Sequence, residues 1–290
     1  MNRRQFLLGV TAFATPGVLG VSADAVFHGA RDLIIQRVEV ALTRLPRAFD
    51  GFTIAQLSDF HFDPHFNGPV IQAAVAKTNA LRPDLVVLTG DFVTEPRRGG
   101  RQRRHDAAGN AAPCGAMLGE LRSLHGSLAV LGNHDAVTDP NYVTTCLSTH
   151  NISVLRNASL PLEKEGARLW IAGMDDVFRH RGDLSRTLNG IPAKEATILL
   201  VHEPDFADVV RQTAVDLQLS GHSHGGQICL PLIGPPYLPP LGKKYPWGLR
   251  RLDQLTLYTN RGVGTIGIPA RLNCPPEITL FTLRSTSPNV

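Results

Sequence analysis

The chain has few cysteines, few aromatic residues and little net charge. Its 290 residues include four cysteines, and none of them has a metal-ligand spacing such as C-x-x-C. The formal net charge is only +4, and no aromatic residue is interleaved with the one arginine-rich segment, as single-strand binding would require. We therefore expect no thiolate metal site and regard nucleic acid as an unlikely partner.

The sequence also lacks an internal repeat. Its two shifts in composition are an arginine-rich stretch at 97–105 and a proline-rich stretch at 231–246. Short apolar runs alternate with helical patterns near 68–81, 113–124, 141–149 and 205–211. This alternation predicts one large α/β domain, for which roughly 250 residues are ample.

Five short motifs end in side chains that commonly bind metals. They are Asp59-Phe60-His61, Gly90-Asp91, Gly132-Asn133-His134-Asp135, Val201-His202-Glu203 and Gly221-His222-Ser223-His224. Four of them follow apolar runs, at 53–57, 85–88, 127–131 and 197–200. Runs of this length, rich in β-branched residues, predict strands buried on both faces. Because strand ends of an open α/β sheet face one cleft, we expect the motifs to converge.

The side chains in these motifs are carboxylates, imidazoles and one amide. This set suits Mn, Fe or Zn in five- or six-coordinate geometry better than a closed tetrahedral zinc site. Taken singly, each residue has a plainer interpretation, since a histidine at a strand end is usually a structural hydrogen bonder and an aspartate often caps a turn. The joint order of the motifs favours a metal site.

The order D-x-H, G-D, G-N-H-D, H and G-H-x-H resembles the calcineurin-like metallophosphoesterase superfamily over residues 50–284. The stretch 221–227 (G-H-S-H-G-G-Q) and the tail at 260–264 and 274–278 are similar to a bacterial, often exported branch. That branch includes cell-envelope phosphoesterases and resembles some hydrolases of UDP-2,3-diacylglucosamine. The resemblance implies a four-layer αββα sandwich, in which two mixed sheets are flanked by helices.

The resemblance also implies roles for particular residues. Asp59, His61 and His224 match the ligands of a first metal ion. Asn133, His202 and His222 match those of a second, and Asp91 matches the carboxylate that bridges the two. His134 matches a residue that faces the scissile phosphate, with Asp135 as its orienting partner.

The second motif departs from the family pattern G-D-x-x-D. Here it reads Gly90-Asp91-Phe92-Val93-Thr94, so the outer carboxylate is missing. That acid is usually not a primary ligand, and the change affects loop contacts more than the metal pair.

Two divalent ions held about 3.5–4 Å apart acidify a shared water into a nucleophilic hydroxide and neutralise phosphate oxygens. A neighbouring imidazole, here His134, then protonates the leaving group.

The amino terminus predicts export. Arg3-Arg4-Gln5-Phe6-Leu7 resembles the bacterial twin-arginine signal R-R-x-F-L, and the 19 residues from Gln5 to Ala23 carry no charge. Ala23-Asp24-Ala25 fits a cleavage site, yet the stretch nearly reaches the ~20 residues of a membrane span. We predict a signal peptide or uncleaved anchor at 1–25 and a domain at 26–290, exported by the twin-arginine translocase to the periplasm or cell envelope. The alternative is a buried first helix with two chance arginines.

Export through that translocase, which takes folded proteins, bears on the cysteines. Their even number would allow disulfides in an oxidising compartment, but folding before export favours buried thiols. We therefore interpret all four as structural. They are Cys114, Cys146, Cys229 and Cys274.

The two biased stretches leave alternatives open. The arginine stretch at 97–105 is polar and broken by glycine, which predicts a loop that is either solvated or attractive to anionic lipid. The proline stretch forms either one wall of the substrate cleft or a packed surface loop. Asp175 and Asp176 end another strand, at 168–173, and either line the cleft or cap their own loop.

Together these patterns predict a metal-dependent phosphoester hydrolase. We expect its substrate to be a phosphodiester or pyrophosphate in an envelope lipid or wall polymer rather than a soluble monoester. The competing hypothesis is a non-catalytic envelope protein that binds metal, wall or lipid. Complete motifs disfavour it, because a binding module has no need of His134 beside a bridging acid.

Overall fold

Two six-stranded sheets form the centre of the molecule. The computed structural model describes residues 29–96 and 100–286. The strands of these residues are β1 (Ile34–Leu42), β2 (Thr53–Leu57), β3 (Leu85–Leu88), β4 (Ser127–Ala129), β5 (Ile152–Val154), β6 (Ala158–Lys164), β7 (Ala167–Gly173), β8 (Ala196–Leu200), β9 (Leu217–Ser220), β10 (Gly248–Leu252), β11 (Leu255–Thr259) and β12 (Glu277–Ser285). The first sheet has the order β1-β12-β2-β3-β4-β5 and the second β10-β11-β9-β8-β7-β6.

Both sheets are mixed, but their central strands are parallel. In the first sheet β2 to β5 run parallel, and β12 is antiparallel to β2. In the second sheet β7, β8, β9 and β11 run parallel, while β6 and β10 are antiparallel edge strands. The carboxyl ends of the parallel strands therefore lie along one edge of each sheet.

Helices cover the outer face of each sheet. The helices in the described part of the chain are α1 (Asn67–Leu81), α2 (Arg101–Ala108), α3 (Ala111–Leu118), α4 (Asn133–Thr138), α5 (Pro140–Thr149), α6 (Leu184–Leu188) and α7 (Ala207–Val210). Short 3-10 helices occur at Arg47–Phe49, Pro204–Phe206 and His224–Gly226.

Alternation along the buried strands builds three layers of apolar side chains. In β3, Leu85 and Val87 pack between the two sheets, whereas Val86 and Leu88 pack under the helices of the first sheet. In β8, Ile198 faces the other sheet. The helices of the second sheet cover a further layer. The four-layer α/β sandwich predicted from the resemblance is confirmed.

The arginine-rich stretch differs from its prediction. Arg97 and Arg98 lie outside the described residues, but α2 begins at Arg101, so the second half of the stretch is helical. Arginine, glutamine and alanine are good helix formers, and the side-chain amide of Gln102 donates to the carboxylate of Asp106 one turn later at 3.0 Å. The preceding glycines suggested a loop because they interrupt the segment just before the helix starts.

The predicted signal at 1–25 also lies outside the described residues. Within residues 29–96 and 100–286, no helix is both long and apolar enough to cross a bilayer. All four cysteines lie in the described part of the chain and are free thiols, two of them buried.

Candidate metal centre

The loops after β2 and β3 are joined by backbone hydrogen bonds, which brings the first two motifs together. The amide of Asp59 donates to the carbonyl of Gly90 at 2.9 Å. The amides of Phe60 and His61 both donate to the carbonyl of Asp91, at 2.8 and 2.9 Å. The strand ends thus lie side by side because the strands are parallel, and the loops that follow them stay hydrogen-bonded to each other beyond the sheet.

Five of the seven candidate ligands have left-handed backbone conformations. Their φ angles are 54° for Asp59, 42° for His61, 57° for Asp91, 70° for His222 and 51° for His224. Such conformations are uncommon for residues other than glycine, and they cluster where function requires a strained turn. Each one redirects a side chain sharply at the end of a buried strand.

Glycines in two motifs allow backbone to lie directly against the carboxylates. A Cβ atom on Gly132 would stand 2.2 Å from Oδ1 of Asp91. A Cβ atom on Gly221 would stand 2.4 Å from Oδ2 of Asp59. Real carbon atoms do not approach oxygen this closely, so the glycines of G-N-H-D and G-H-S-H are required by packing.

The candidate ligands form three groups, and within each group the ligand atoms lie within 4.8 Å of one another. The groups are Asp59 with His61 and His224, Asp91 with His202 and His222, and Asp91 with His61 and His134. Oδ2 of Asp91 lies 3.4 Å from Nε2 of His61 and 3.1 Å from Nε2 of His202. The carboxylate of Asp91 therefore stands between the first two groups, where a bridging ligand belongs.

An unpaired buried oxygen and the spacing of the donors indicate that this set fits divalent cations. Oδ1 of Asn133 is buried without a hydrogen-bond partner among the described residues. Nε2 of His224 lies 3.1 Å from Nε2 of His61 and 3.3 Å from Oδ1 of Asp59. Neighbouring ligands of a six-coordinate ion with bonds of ~2.1 Å are about 3 Å apart. The residues present can hold two such ions.

Hydrogen bonds on the far side of three imidazoles fix the nitrogen that faces the site. Nδ1 of His202 contacts the carbonyl of Thr89 at 2.6 Å, and Nε2 of His222 contacts the carbonyl of Pro240 at 2.8 Å. Because a carbonyl only accepts, the opposite nitrogen of each neutral ring is left with a lone pair. Nδ1 of His61 meets the hydroxyl of Thr94 at 3.1 Å. Thr94 thus supports His61 from the position where the family motif has its second acid.

Among the candidate ligand histidines, His202 differs from the others because it is paired most closely with the carboxylate of Asp91. Burial lowers the pKa of His61 and of His222 to about 3, and that of His224 well below its ordinary value. These rings are neutral near pH 7 and able to bind a cation. Burial also lowers the pKa of His202, but the charge and hydrogen bond of Asp91, together with the charges of Asp59 and Glu203, hold this pKa well above its usual value. A cation would replace this proton as the partner of Asp91.

His134 lies beside the candidate ligands with its reactive nitrogen free. Its ring centroid is 4.9 Å from that of His61, in an edge-to-face arrangement. Nδ1 accepts the backbone amide of Glu95 at 2.9 Å, so the neutral ring carries its proton on Nε2. His134 also lines the cavity, which suits a residue that donates a proton there.

The contacts of Asp135 correct one expectation from the sequence. Its carboxylate does not orient the imidazole of His134 but accepts backbone amides from Gly132, Asp91, Phe92 and Val93, at 2.8–3.1 Å. Burial and then the charge of Asp91 raise the pKa of Asp135 to about 8. Asp135 therefore joins the loops of the second and third motifs, while the Glu95 amide orients His134.

A cavity of about 660 Å³ opens beside the cluster. Its wall includes the ligand candidates Asp91, Asn133, His222 and His224. The same wall has an apolar part that includes Pro236, Tyr237, Pro239, Pro240, Ile266 and Ile268. Of the two alternatives for the proline stretch, the structure favours the cleft wall.

Asp175 and Asp176 do not line this cavity. The carboxylate of Asp175 pairs with Arg156 at 2.9 Å. Asp176 accepts the backbone amide of Arg179 at 2.7 Å and so caps its own loop. Of their two interpretations, the structure favours the capping role.

Sequence reasoning missed Arg271, which is fully buried next to the site. Its guanidinium donates to the carbonyls of Arg261, Gly262, Gly264 and Cys274 at 2.6–3.2 Å. The loop that it holds packs against the first motif, since the amide of Gly264 donates to the carbonyl of Asp59 at 2.8 Å. Arginine is usually exposed, so its residue type gave no signal for this role.

Two clustered ligand groups, with the carboxylate of Asp91 next to both, are the arrangement of a two-metal hydrolase site. The family model for calcineurin-like phosphoesterases matches residues 52–226. The uncharacterized metallophosphoesterase YkuE of Bacillus subtilis (strain 168) is 36% identical over 294 residues, covering 99% of each chain. The phosphodiesterase YaeI of Escherichia coli (strain K12) is 32% identical over 238 residues, covering 80% of this chain and 82% of its own.

A solved 5'-nucleotidase precursor from Thermus thermophilus aligns with a TM-score of 0.47 and 15% identity, covering 80% of this chain and 54% of that one. The extent of the family match and of the relatives' identity places this chain in the calcineurin-like phosphoesterase family. It is a metal-dependent phosphoesterase.

Proposed function

We propose that the protein hydrolyses a phosphodiester or pyrophosphate bond in a lipid or wall polymer of the cell envelope. The observation that carries this proposal is the carboxylate of Asp91 between ligand candidates of both groups, beside a cavity whose wall has polar and apolar parts. The polar part would hold the phosphate, and the apolar part would hold the adjoining group. The relative named as a phosphodiesterase supports this reaction over monoester hydrolysis.

In this proposal Asp59, His61 and His224 would hold one divalent ion, and Asn133, His202 and His222 would hold the other. Asp91 would be a ligand of both. When bound, two such ions supply an acidified water and positive charge for the phosphate oxygens. Manganese, iron and zinc all suit these ligands.

His134 would be the proton donor. The Glu95 amide occupies Nδ1, which leaves the Nε2 proton directed to the leaving oxygen of a bound phosphoester. Neither Nδ1 nor Nε2 is then needed for metal binding. The same arrangement disfavours the alternative of a non-catalytic metal-, wall- or lipid-binding protein, which would not need an imidazole fixed in this tautomer.

The location and partners in this proposal come from the sequence. The twin-arginine motif supports export by the twin-arginine translocase to the periplasm or cell envelope, with segment 1–25 as signal or anchor. The similarity to a branch that resembles some hydrolases of UDP-2,3-diacylglucosamine supports an acylated substrate. Arginines around α2 support contact with anionic lipid.

A substrate screen tests the proposal. We expect the purified protein with Mn²⁺, Fe²⁺ or Zn²⁺ to cleave bis-p-nitrophenyl phosphate and a lipid pyrophosphate faster than p-nitrophenyl phosphate. The His134→Ala variant is the matched control, since it should retain the metals and lose turnover. Faster cleavage of the monoester would contradict the proposed bond type, and no cleavage of any substrate would favour the binding protein.

A further inference from the structure

The segment 228–241 follows the last metal motif and contains no charged residue over its 14 positions. Its sequence, I-C-L-P-L-I-G-P-P-Y-L-P-P-L, is almost wholly apolar. Most of it is nevertheless exposed, with Leu232 fully exposed, Ile233 exposed to 76% and Tyr237 to 70%. Contiguous apolar surface of this kind on a soluble domain marks an interaction site.

A second uncharged loop lies beside this segment. Residues 265–270 include Ile268, which is 54% exposed. The side-chain amide of Gln227 donates to the carbonyls of Ile266 and Ile268, at 3.2 and 2.9 Å, and its oxygen accepts the amide of Ile266 at 2.8 Å. Gln227 thus joins both loops into one apolar surface, and that surface continues into the apolar part of the cavity wall.

The tip of segment 228–241 is a tight turn with its most exposed side chains outermost. The carbonyl of Leu230 accepts the amides of Ile233 and Gly234, at 3.3 and 2.9 Å. Leu232 has a φ of 66°, a left-handed conformation that glycine or asparagine adopts with less strain. A fully exposed leucine buries no apolar side chain in the fold, and its strained backbone therefore favours a role in binding.

The charges next to this surface suit a membrane. Lys243 is exposed and follows the segment by two residues, and the next residue, Lys244, is exposed in a pair with Asp208 at 2.7 Å. Apolar side chains bordered by basic groups are the surface that a peripheral protein presents to anionic headgroups and the acyl layer beneath them.

We propose that residues 228–241 and 265–270 insert into the interface of an anionic lipid bilayer, with Leu232 and Ile233 deepest. The cavity would then open toward the bilayer surface, so that a membrane lipid could reach the metal site with its apolar part still among other acyl chains. This inference rests on the proposed function, because it assigns the lipid side of the substrate to the apolar part of the cavity wall.

Vesicle partitioning tests the insertion. The full-length chain, its Leu232→Asn/Ile233→Ser variant and a Leu124→Asn control would be sedimented with vesicles of phosphatidylethanolamine and phosphatidylglycerol. Leu124 is 78% exposed but precedes β4, at the end of the sheet away from the site. We expect partitioning of the double variant to fall at least tenfold, because removing Leu and Ile from an apolar phase shifts an equilibrium by about an order of magnitude. The Leu124 control should bind like the unchanged protein.

All three proteins carry the same amino-terminal segment, so a difference in their vesicle binding measures the contribution of the substituted side chains. Thermal stability of the double variant should be unchanged, since asparagine tolerates the backbone of Leu232. An Ile233→Trp variant should shift its emission to shorter wavelength when vesicles are added. Equal vesicle binding by all variants would overturn the inference, and so would an emission of the Ile233→Trp variant that vesicles do not shift. It would also be overturned if the unchanged chain formed a dimer that the double variant does not form, because the tip would then be a contact between two copies of the chain.

Hydrolysis of soluble bis-p-nitrophenyl phosphate separates this inference from the proposed function. The tip variants should cleave it at the unchanged rate, because neither side chain contacts the candidate ligands. If the unchanged protein cleaves the diester but ignores vesicles, only the membrane inference fails. If it binds vesicles through the tip but cleaves no phosphoester, only the proposed function fails.

Discussion

Asp91 is the residue on which the two candidate ligand groups depend. Nε2 of His61 and Nε2 of His202 both lie within 3.4 Å of its Oδ2 atom. This carboxylate therefore lies next to one candidate ligand of each group. Substitutions within one group should therefore differ in effect from substitution of Asp91.

We predict that Asp91→Ala loses both metal ions and nearly all activity, whereas His61→Ala weakens mainly one ion. Elemental analysis after dialysis measures this, with Asp106→Ala on the exposed helix α2 as a control that keeps both ions. Two full equivalents of metal in Asp91→Ala would contradict the bridging role.

For His134 we predict a loss of turnover without loss of metal. Because its Nε2 proton is expected to reach the leaving oxygen, His134→Ala should keep both ions and lose roughly 10²–10⁴ in kcat. The loss should be smaller for nitrophenolate, which departs unprotonated, than for an alkoxide. Equal losses for the two leaving groups would exclude a proton donor at this position.

At the scale of elements, the loop at 261–264 depends on one buried side chain. Arg271→Met would remove the side-chain donor from four carbonyls, of which, within the described part of the chain, only that of Gly262 keeps another donor, the amide of Glu277, and we expect the free energy of unfolding to fall by roughly 3 kcal/mol or more. Metal affinity should fall too, because the loop packs on Asp59. Urea unfolding measures the effect. Arg284→Met, which breaks an exposed pair with Glu39, is the control and should leave stability unchanged.

The helix α2 and the arginines before it give an electrostatic prediction. Replacing Arg97, Arg98, Arg101, Arg103 and Arg104 with Gln preserves helix propensity while removing charge. Activity on anionic vesicles should fall and lose its salt sensitivity, since screening at ~0.15 M acts over about 8 Å on exposed charge. Turnover of a soluble diester should stay nearly constant, and a parallel fall on both substrates would indicate a structural role for the segment.

Elements with a local signal could be predicted from the sequence. The strands at 53–57 and 85–88 have their predicted bounds because each apolar run stops at a polar motif. The helix predicted at 68–81 also agrees within one residue. The helix α2 was missed because two glycines precede it and its polar residues show no apolar face.

Features that depend on distant backbone could not be predicted. The Glu95 amide that orients His134 belongs to no motif, since any residue supplies the same donor. The amides that bind Asp135 are likewise independent of side-chain type. The strand order within each sheet is also set by long-range packing. Residue types therefore predicted which side chains lie together at the site, but not the backbone hydrogen bonds that position them.

For the whole molecule we predict export in the folded state. Replacing Arg3 and Arg4 with Lys should leave active enzyme in the cytoplasm, because the pair is recognised by a receptor and not only as charge. Cell fractionation with an activity assay measures this. A variant with Lys at both positions that still reaches the envelope would refute the twin-arginine interpretation.

The position of β12 in the first sheet has a consequence for how the protein is made. This strand pairs with β1 on one side and β2 on the other, although more than 200 residues of synthesis separate it from β2. At ~5–20 residues per second, the ribosome completes β12 tens of seconds after β2 has emerged. The nascent chain must wait that long with a gap in its sheet and without the loop at 261–264 that supports Asp59. We therefore expect the complete metal centre to form only after β12 has been synthesised, and a chaperone that shields the edge of β2 would act before that step.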